Sequence, residues 1–163
     1  MTFEEIKETK DSIEYVDLGL SVKWANCNLG AKTPEETGYR FNFEEKSKVD
    51  YVNLPTKEQC EELINNCTWK WRGGKHKGCY VIGKNGNKIF LPAVGELYHD
   101  GKINADGECG SYWSSSFQGR DKEYPYYMTY LYKYSFFDFK FVMSKNVTFT
   151  AKHLRNLVIR PVK

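Results

Sequence analysis

The sequence predicts an α+β domain, and three observations carry that prediction: an alternating apolar segment near the start, one well-capped amphipathic helix in the middle, and an aromatic second half patterned as strands. At 163 residues the chain has the size of one domain. No internal repeat or linker divides it, so a domain over residues 15–163 is expected to follow an N-terminal extension over residues 1–14. Hydrophobic residues make up 40% and charged residues 28%, which places the chain among globular proteins rather than disordered ones.

Taken in order, Thr2-Phe3-Glu4-Glu5 has capping-box spacing and opens a short helix within the extension. Val16, Leu18, Leu20, Val22 and Trp24 then alternate with Asp17, Gly19, Ser21 and Lys23, which predicts a strand with one buried face, bent at Gly19. Thr33-Pro34-Glu35-Glu36 reads as an N-cap, a proline at the first helical position and an acidic first turn, opening a short helix that Thr37-Gly38 stops at once. The strongest helix starts at Thr56, which forms a capping box with Gln59. Behind it Cys60, Leu63, Ile64 and Cys67 repeat at i, i+3, i+4 and i+7.

The period returns to two at Trp69 and Trp71, and Gly73-Gly74 marks a turn. Cys79–Ile82 and Lys88–Leu91 are predicted strands around an Asn85-Gly86 hairpin, closed by Pro92. Residues 95–110, punctuated by Asp100-Gly101 and Asp106-Gly107, read as loop. Four further strands are predicted at Tyr126–Tyr134, Phe136–Met143, Val147–Thr150 and Leu157–Val162.

Four stretches together resemble a known family: Tyr15-Val16-Asp17-Leu18-Gly19-Leu20-Ser21-Val22-Lys23-Trp24-Ala25, Leu54-Pro55-Thr56-Lys57, Gly110-Ser111-Tyr112-Trp113-Ser114-Ser115-Ser116, and Val158-Ile159-Arg160-Pro161-Val162. The chain resembles the C-type-lectin-like domains of the branch that holds formylglycine-generating-enzyme folds, variable proteins of diversity-generating retroelements, and a paralogous domain family of gut bacteria and their phages. The resemblance runs from about Tyr15 to Val162. It implies a C-type-lectin-like fold with two helices, small antiparallel sheets, and an N-terminal strand paired with the C-terminal one. It also implies that Trp113 fills the core beneath a ligand-binding face.

The feature with most bearing on function is aromatic density. Between Tyr112 and Phe141 there are 13 aromatics in 30 residues, half of all those in the chain. In a strand only alternate side chains face one side, so Met128, Tyr130, Tyr132 and Tyr134 share a face while Thr129, Leu131 and Lys133 take the other. A core that absorbs one such set has little room for Tyr124, Tyr126, Tyr127, Phe136 and Phe137 as well. Some of these rings are expected at the surface, where a contiguous apolar patch marks a binding site. A sheet simply rich in good strand formers is the plainer alternative. The candidate ligand-binding residues are Phe117, Arg120, Tyr124, Tyr126, Tyr132, Tyr134, Phe136, Phe137, Lys152, His153 and Arg155. In retroelement variable proteins the positions that differ between copies lie in this region. Tyr124, Tyr126, Tyr132, Tyr134, Phe136, Phe137 and Asp138 fit such a set.

Two basic clusters, Lys70–Lys77 around Trp71 and Lys152-His153 with Arg155, would favour an anionic ligand if they converged. The formal net charge of +3 gives no reason to expect nucleic acid. The paired Glu/Gln-Pro-Asn/Asp and Trp-Asn-Asp motifs of calcium-binding lectins are absent, and Asp100, Asn104 and Asp106 read as turn residues, so no metal and no cofactor are expected. His76, His99 and His153 lack ligand or triad spacing.

The sequence therefore predicts a non-enzymatic module that binds a protein, a glycan or a small anionic ligand. Two other readings stand beside it: a formylglycine-type copper/thiol oxidase built around Cys109, and a structural domain of a larger assembly. The five cysteines, odd in number and without a CxxC pair, read as buried free thiols in a reducing compartment. No apolar run reaches the ~18 residues of a membrane span, so no membrane insertion is expected. The Glu/Lys-rich start lacks the apolar stretch of an export signal. An intracellular or virion-associated setting, in a bacterium or a phage-infected cell, is the expectation that follows.

Overall fold

A computed structural model describes residues 2–163. Its elements are few short helices and several small antiparallel sheets, the mixed architecture that the sequence pattern predicts. The three α-helices among the described residues all begin with a reciprocal capping box. In α1 (Phe3–Glu8) the pair is Thr2 and Glu5, in α2 (Phe43–Ser47) Asn42 and Glu45, and in α3 (Lys57–Asn66) Thr56 and Gln59. The box of α2 is written in the sequence as Asn42-Phe43-Glu44-Glu45, ahead of a helix too short to show a hydrophobic period.

Two expectations fail between residues 15 and 37. The alternating segment is not one strand: Tyr15–Val16 (β1) and Trp24–Ala25 (β2) pair with each other antiparallel, and the chain folds back between them. Gly19 sits at φ +74, a backbone setting open to glycine, and so turns the chain where a strand would continue. The alternation nevertheless reports burial, because Leu18 and Trp24 are core and Val16, Leu20 and Val22 pack against it. Thr33–Glu36 forms a single turn, closed by Glu36 N–H to Thr33 O at 3.2 Å, rather than a helix.

The middle of the chain follows the prediction. β3 (Thr68–Arg72), β4 (Gly78–Ile82) and β5 (Lys88–Pro92) make a meander. The turn carrying Asn85-Gly86 is tied down by Asn85 and Asn87, whose side-chain amides each donate to Asp17 O at 2.9 Å. The polar stretch after it is not all loop. It contains the hairpin β6 (Glu96–Tyr98) and β7 (Ile103–Asn104), which a late strand joins from the C-terminal side.

The second half is organised around β8 (Cys109–Gln118), β9 (Tyr124–Ser135) and β10 (Lys140–Phe149), in the order β10-β9-β8. Phe136–Met143 and Val147–Thr150 are therefore not two strands. Residues 136–139 form the turn of the β9–β10 hairpin and the rest belongs mainly to β10. The two faces of this sheet cover two cores. Tyr112, Met128 and Tyr130 face one that includes Leu63, Val81 and Leu91, whereas Trp113 and Tyr127 face another with Ile6, Leu29, Phe41, Leu157 and Ile159. Ile6 is fully buried there, which docks α1 onto the domain.

Beyond β11 (Arg155–Asn156), which completes the β6–β7 sheet, the predicted strand Leu157–Val162 is present only as bridges. The reason lies in its partners. Leu157 exchanges hydrogen bonds with Phe41, Val158 O accepts from Trp113, Ile159 O from Leu29 and Pro161 O from Ala25, while Val162 donates to Asn53. No single strand lies alongside, so no ladder forms. Lys23 and Lys163 exchange two bonds of 2.8 and 2.9 Å, and Trp24 bridges Val162 antiparallel, so the N-terminal and C-terminal segments are paired. Among the described residues no helix is long and apolar enough to cross a membrane.

Candidate functional site

The surplus rings near the end of the chain part into three groups. Some are absorbed: Tyr112, Trp113 and Tyr130 are fully buried and Tyr127 nearly so. Tyr127 thus departs from the expectation that the interior has no room for it, because the sheet has a core on each face rather than on one. Tyr112 and Tyr130 direct their hydroxyls at carbonyls, to Pro92 O at 3.3 Å and Leu91 O at 2.7 Å. Burial raises both phenol pKa values above the ordinary 10.0, so these are neutral structural groups.

The remaining rings lie at opposite ends of β9, roughly 35 Å apart at ~3.3 Å per residue. At the far end the β9–β10 hairpin outruns its neighbour. β8 stops pairing at Cys109–Leu131, but the β9–β10 ladder continues to Ser135–Lys140. Past Tyr132, whose N–H still donates to Glu108 O at 2.8 Å, the hairpin projects as a two-stranded ribbon. Tyr134, Phe136, Phe137, Phe139 and Phe141 are all exposed there, Phe137 at 97% of its full area. The rings are ordered among themselves: Tyr134 meets Phe136 edge-on at 5.3 Å and Phe141 at 5.4 Å. Tyr132 stacks with Phe141 at 5.2 Å and with Trp71 of β3 at 4.3 Å.

Phe139 takes φ +50, the left-handed region where bulky side chains are costly and glycine or asparagine is the cheap choice. The four-residue turn thus carries three exposed phenylalanines, one of them in this costly setting. Lys133 and Lys140 flank the tip as exposed cations. Phe139, Phe141 and Trp71 belong to this surface but were absent from the sequence-derived candidates. The first two lie within the aromatic run of the sequence, and the hairpin turn at residues 136–139 is what brings them to the tip.

Phe117, Arg120, Tyr124, Tyr126 and Lys152 lie at the near end, around the β8–β9 turn. Tyr124 and Tyr126 pack edge-on against Phe149, at 6.0 and 5.9 Å. Lys152 pairs with Glu123 at 2.9 Å. Phe117 and Lys152 line a groove of about 880 Å³ whose other walls include α2 and residues 49–56. The seven positions suggested for diversification are accordingly divided, with Tyr132, Tyr134, Phe136, Phe137 and Asp138 at the tip and Tyr124 and Tyr126 at the other end.

His153 is exposed, whereas Arg155 is engaged elsewhere. Its guanidinium pairs with the buried Glu96, beneath Tyr98 and Tyr127. Glu96 also accepts from Ser111 at 2.6 Å, and Ser111 meets Thr129 at 2.8 Å, so Arg155 closes a buried polar network. The two basic clusters line different grooves: Lys75, His76 and Lys77 face Asp106 and Gly107, while Lys152 faces Phe117. Cys109 is buried beside Ser111 and Thr129, and burial raises its thiol pKa, which disfavours the thiolate needed for sulfur chemistry. Cys60 and Cys79 are buried too, but Cys27 and Cys67 are only half-buried. No cluster of three or more His, Cys, Asp or Glu side chains able to hold a metal occurs among the described residues.

No family model, curated protein or solved structure matches this chain.

Proposed function

We propose that the protein is a non-enzymatic binding module that engages a partner protein through the aromatic tip of the β9–β10 hairpin. The observation that carries this reading is the exposed set Phe136, Phe137 and Phe139, with Tyr134 and Phe141 behind it, on a ribbon held out past the rest of its sheet. Exposed aromatic clusters of this kind are what interface centres bury. The tip residues line none of the main grooves, which favours insertion into a pocket of a partner protein over enclosure of a small molecule. Phenylalanine carries no hydroxyl with which to orient a glycan.

The scaffold reading as C-type-lectin-like is supported by the Trp24–Val162 bridge between the two ends of the domain and by Trp113 beneath the central sheet. On that scaffold the aromatic tip is a segment that can vary without disturbing the cores, as diversification of a phage or retroelement-encoded binder would require.

The test compares the wild-type chain with a variant carrying Phe136→Ser, Phe137→Ser and Phe139→Ser. A partner captured by cross-linking and then purified is expected to bind the variant at least tenfold more weakly, a loss of about 1.4 kcal/mol or more. A partner that binds both proteins equally well would remove the tip from recognition.

A further inference from the structure

At the other end of the central sheet, Lys46 presents an unusual arrangement. It sits in the last turn of α2 and is only 5% exposed. Its Nζ is fully buried and has no hydrogen-bond partner among the described residues. What surrounds it is aromatic: the Phe117 ring centroid lies 4.3 Å away, and those of Phe43 and Trp113 each 5.6 Å away. Ring faces attract a cation, yet they supply no acceptor for three N–H groups, and an amine buried without one costs a domain this size a sizeable part of its stability. Nothing in the packing requires a lysine there, since its stem could be replaced by methionine.

Lys46 is among the residues around the groove of about 880 Å³ noted above, a volume within the usual range for small-molecule sites, with its amine buried behind the Phe117 ring. The rim does not select a charge by itself. Lys122 and Lys152 stand by the Phe43–Phe117 pair, with Nζ atoms 5.8 Å from the Phe117 ring and 6.0 Å from the Phe43 ring, but Asp50 and Asp121 line the same groove. Lys122 is held at φ +53, one of the three positive-φ residues that are not glycine among the described residues. Val22, Val52 and Leu54 give the groove an apolar part.

We infer that this groove is a second binding site, for a small molecule bearing one carboxylate or phosphate group on an apolar body, and that Lys46 is its anion-recognising group. The anion supplies the acceptor that Lys46 lacks, and the half-exposed Phe117 ring moves aside to admit it. The apolar body lies along Val52 and Leu54. The site stands on different residues from the hairpin tip and does not depend on it.

The probes are benzoate and phenyl phosphate, with benzyl alcohol as the uncharged control, at millimolar concentration and constant ionic strength. At least one of the two anions is expected to raise the melting temperature of the wild-type chain, with benzyl alcohol doing so far less. Lys46→Met is expected to weaken that binding at least tenfold. Failure of both anions to bind, equal binding of benzyl alcohol, or undiminished binding by Lys46→Met would each overturn the assignment.

Discussion

The indole of Trp71 stacks on the phenol of Tyr132, with ring centroids 4.3 Å apart and 19° between their planes. Trp71 belongs to the β3-β4-β5 meander and Tyr132 to the last part of β9 before the hairpin leaves its sheet. The contact is therefore the footing of the projecting ribbon. Below it Trp69 meets Tyr130 edge-on at 5.7 Å, and Cys79 approaches Met143 at 3.8 Å.

Trp71→Ala is expected to loosen the hairpin more than the fold. A double-mutant cycle with Tyr132→Ala should give a coupling of about 0.5–1.5 kcal/mol beyond the separate losses, the usual size for an aromatic pair. Amide exchange at residues 133–142 should quicken several-fold, while exchange in β4 stays slow. Uniform change across the molecule would mean that the stack is ordinary core packing.

Replacing the tip phenylalanines with serine is expected to leave stability within about 0.5 kcal/mol of wild type, because the rings bury little surface in the folded chain. The same variant should bind less of a hydrophobic dye. Chemical denaturation separates the two cases: a loss above about 2 kcal/mol would show that the rings are structural.

Lys46→Met is expected to stabilise the protein at pH 7 by an amount on the order of 1–3 kcal/mol, since an unpaired buried amine gives way to an apolar chain of similar length. Burial lowers the Lys46 pKa from an ordinary 10.5 to about 8. Below pH 8 the folded and unfolded states both carry the proton, and the penalty is felt in full. Between about 8 and 10.5 the unfolded state holds more protons than the folded one, so wild-type stability rises relative to the variant as pH increases. The gap measured by urea denaturation should therefore close across that window. A constant gap would mean that Lys46 is not desolvated.

Arg160→Ala is expected to cost about 3–5 kcal/mol, and Arg160→Lys most of the same. The side chain is fully buried and donates to Asn28 Oδ1 at 2.9 Å, Ala25 O at 3.1 Å and Phe90 O at 2.8 Å. A lysine cannot span those three acceptors in their planar arrangement. Thermal melts of the two variants test this, and near-normal stability of Arg160→Lys would show that the fork is not needed.

What local sequence determined here is what local physics controls. Capping boxes at Thr2, Asn42 and Thr56 place helix starts because donor and acceptor lie three residues apart. The alternation at Val16–Trp24 separates buried from exposed side chains even though no strand forms, since burial follows the hydrophobic pattern whichever backbone delivers it. The aromatic run foretold rings at the surface through an excess over what one sheet face can cover. Tertiary structure alone decided where those rings stand. The length of β9 carries Tyr124 and Phe137 to opposite ends of the sheet, a second core takes in Tyr127, and Arg155 turns inward to Glu96. Lys46 looks like one more surface lysine in a five-residue helix until Trp113 and Phe117, some seventy positions later in the chain, close over it. Contacts between residues so distant in sequence depend on how sheets and segments pack, and no local pattern encodes that.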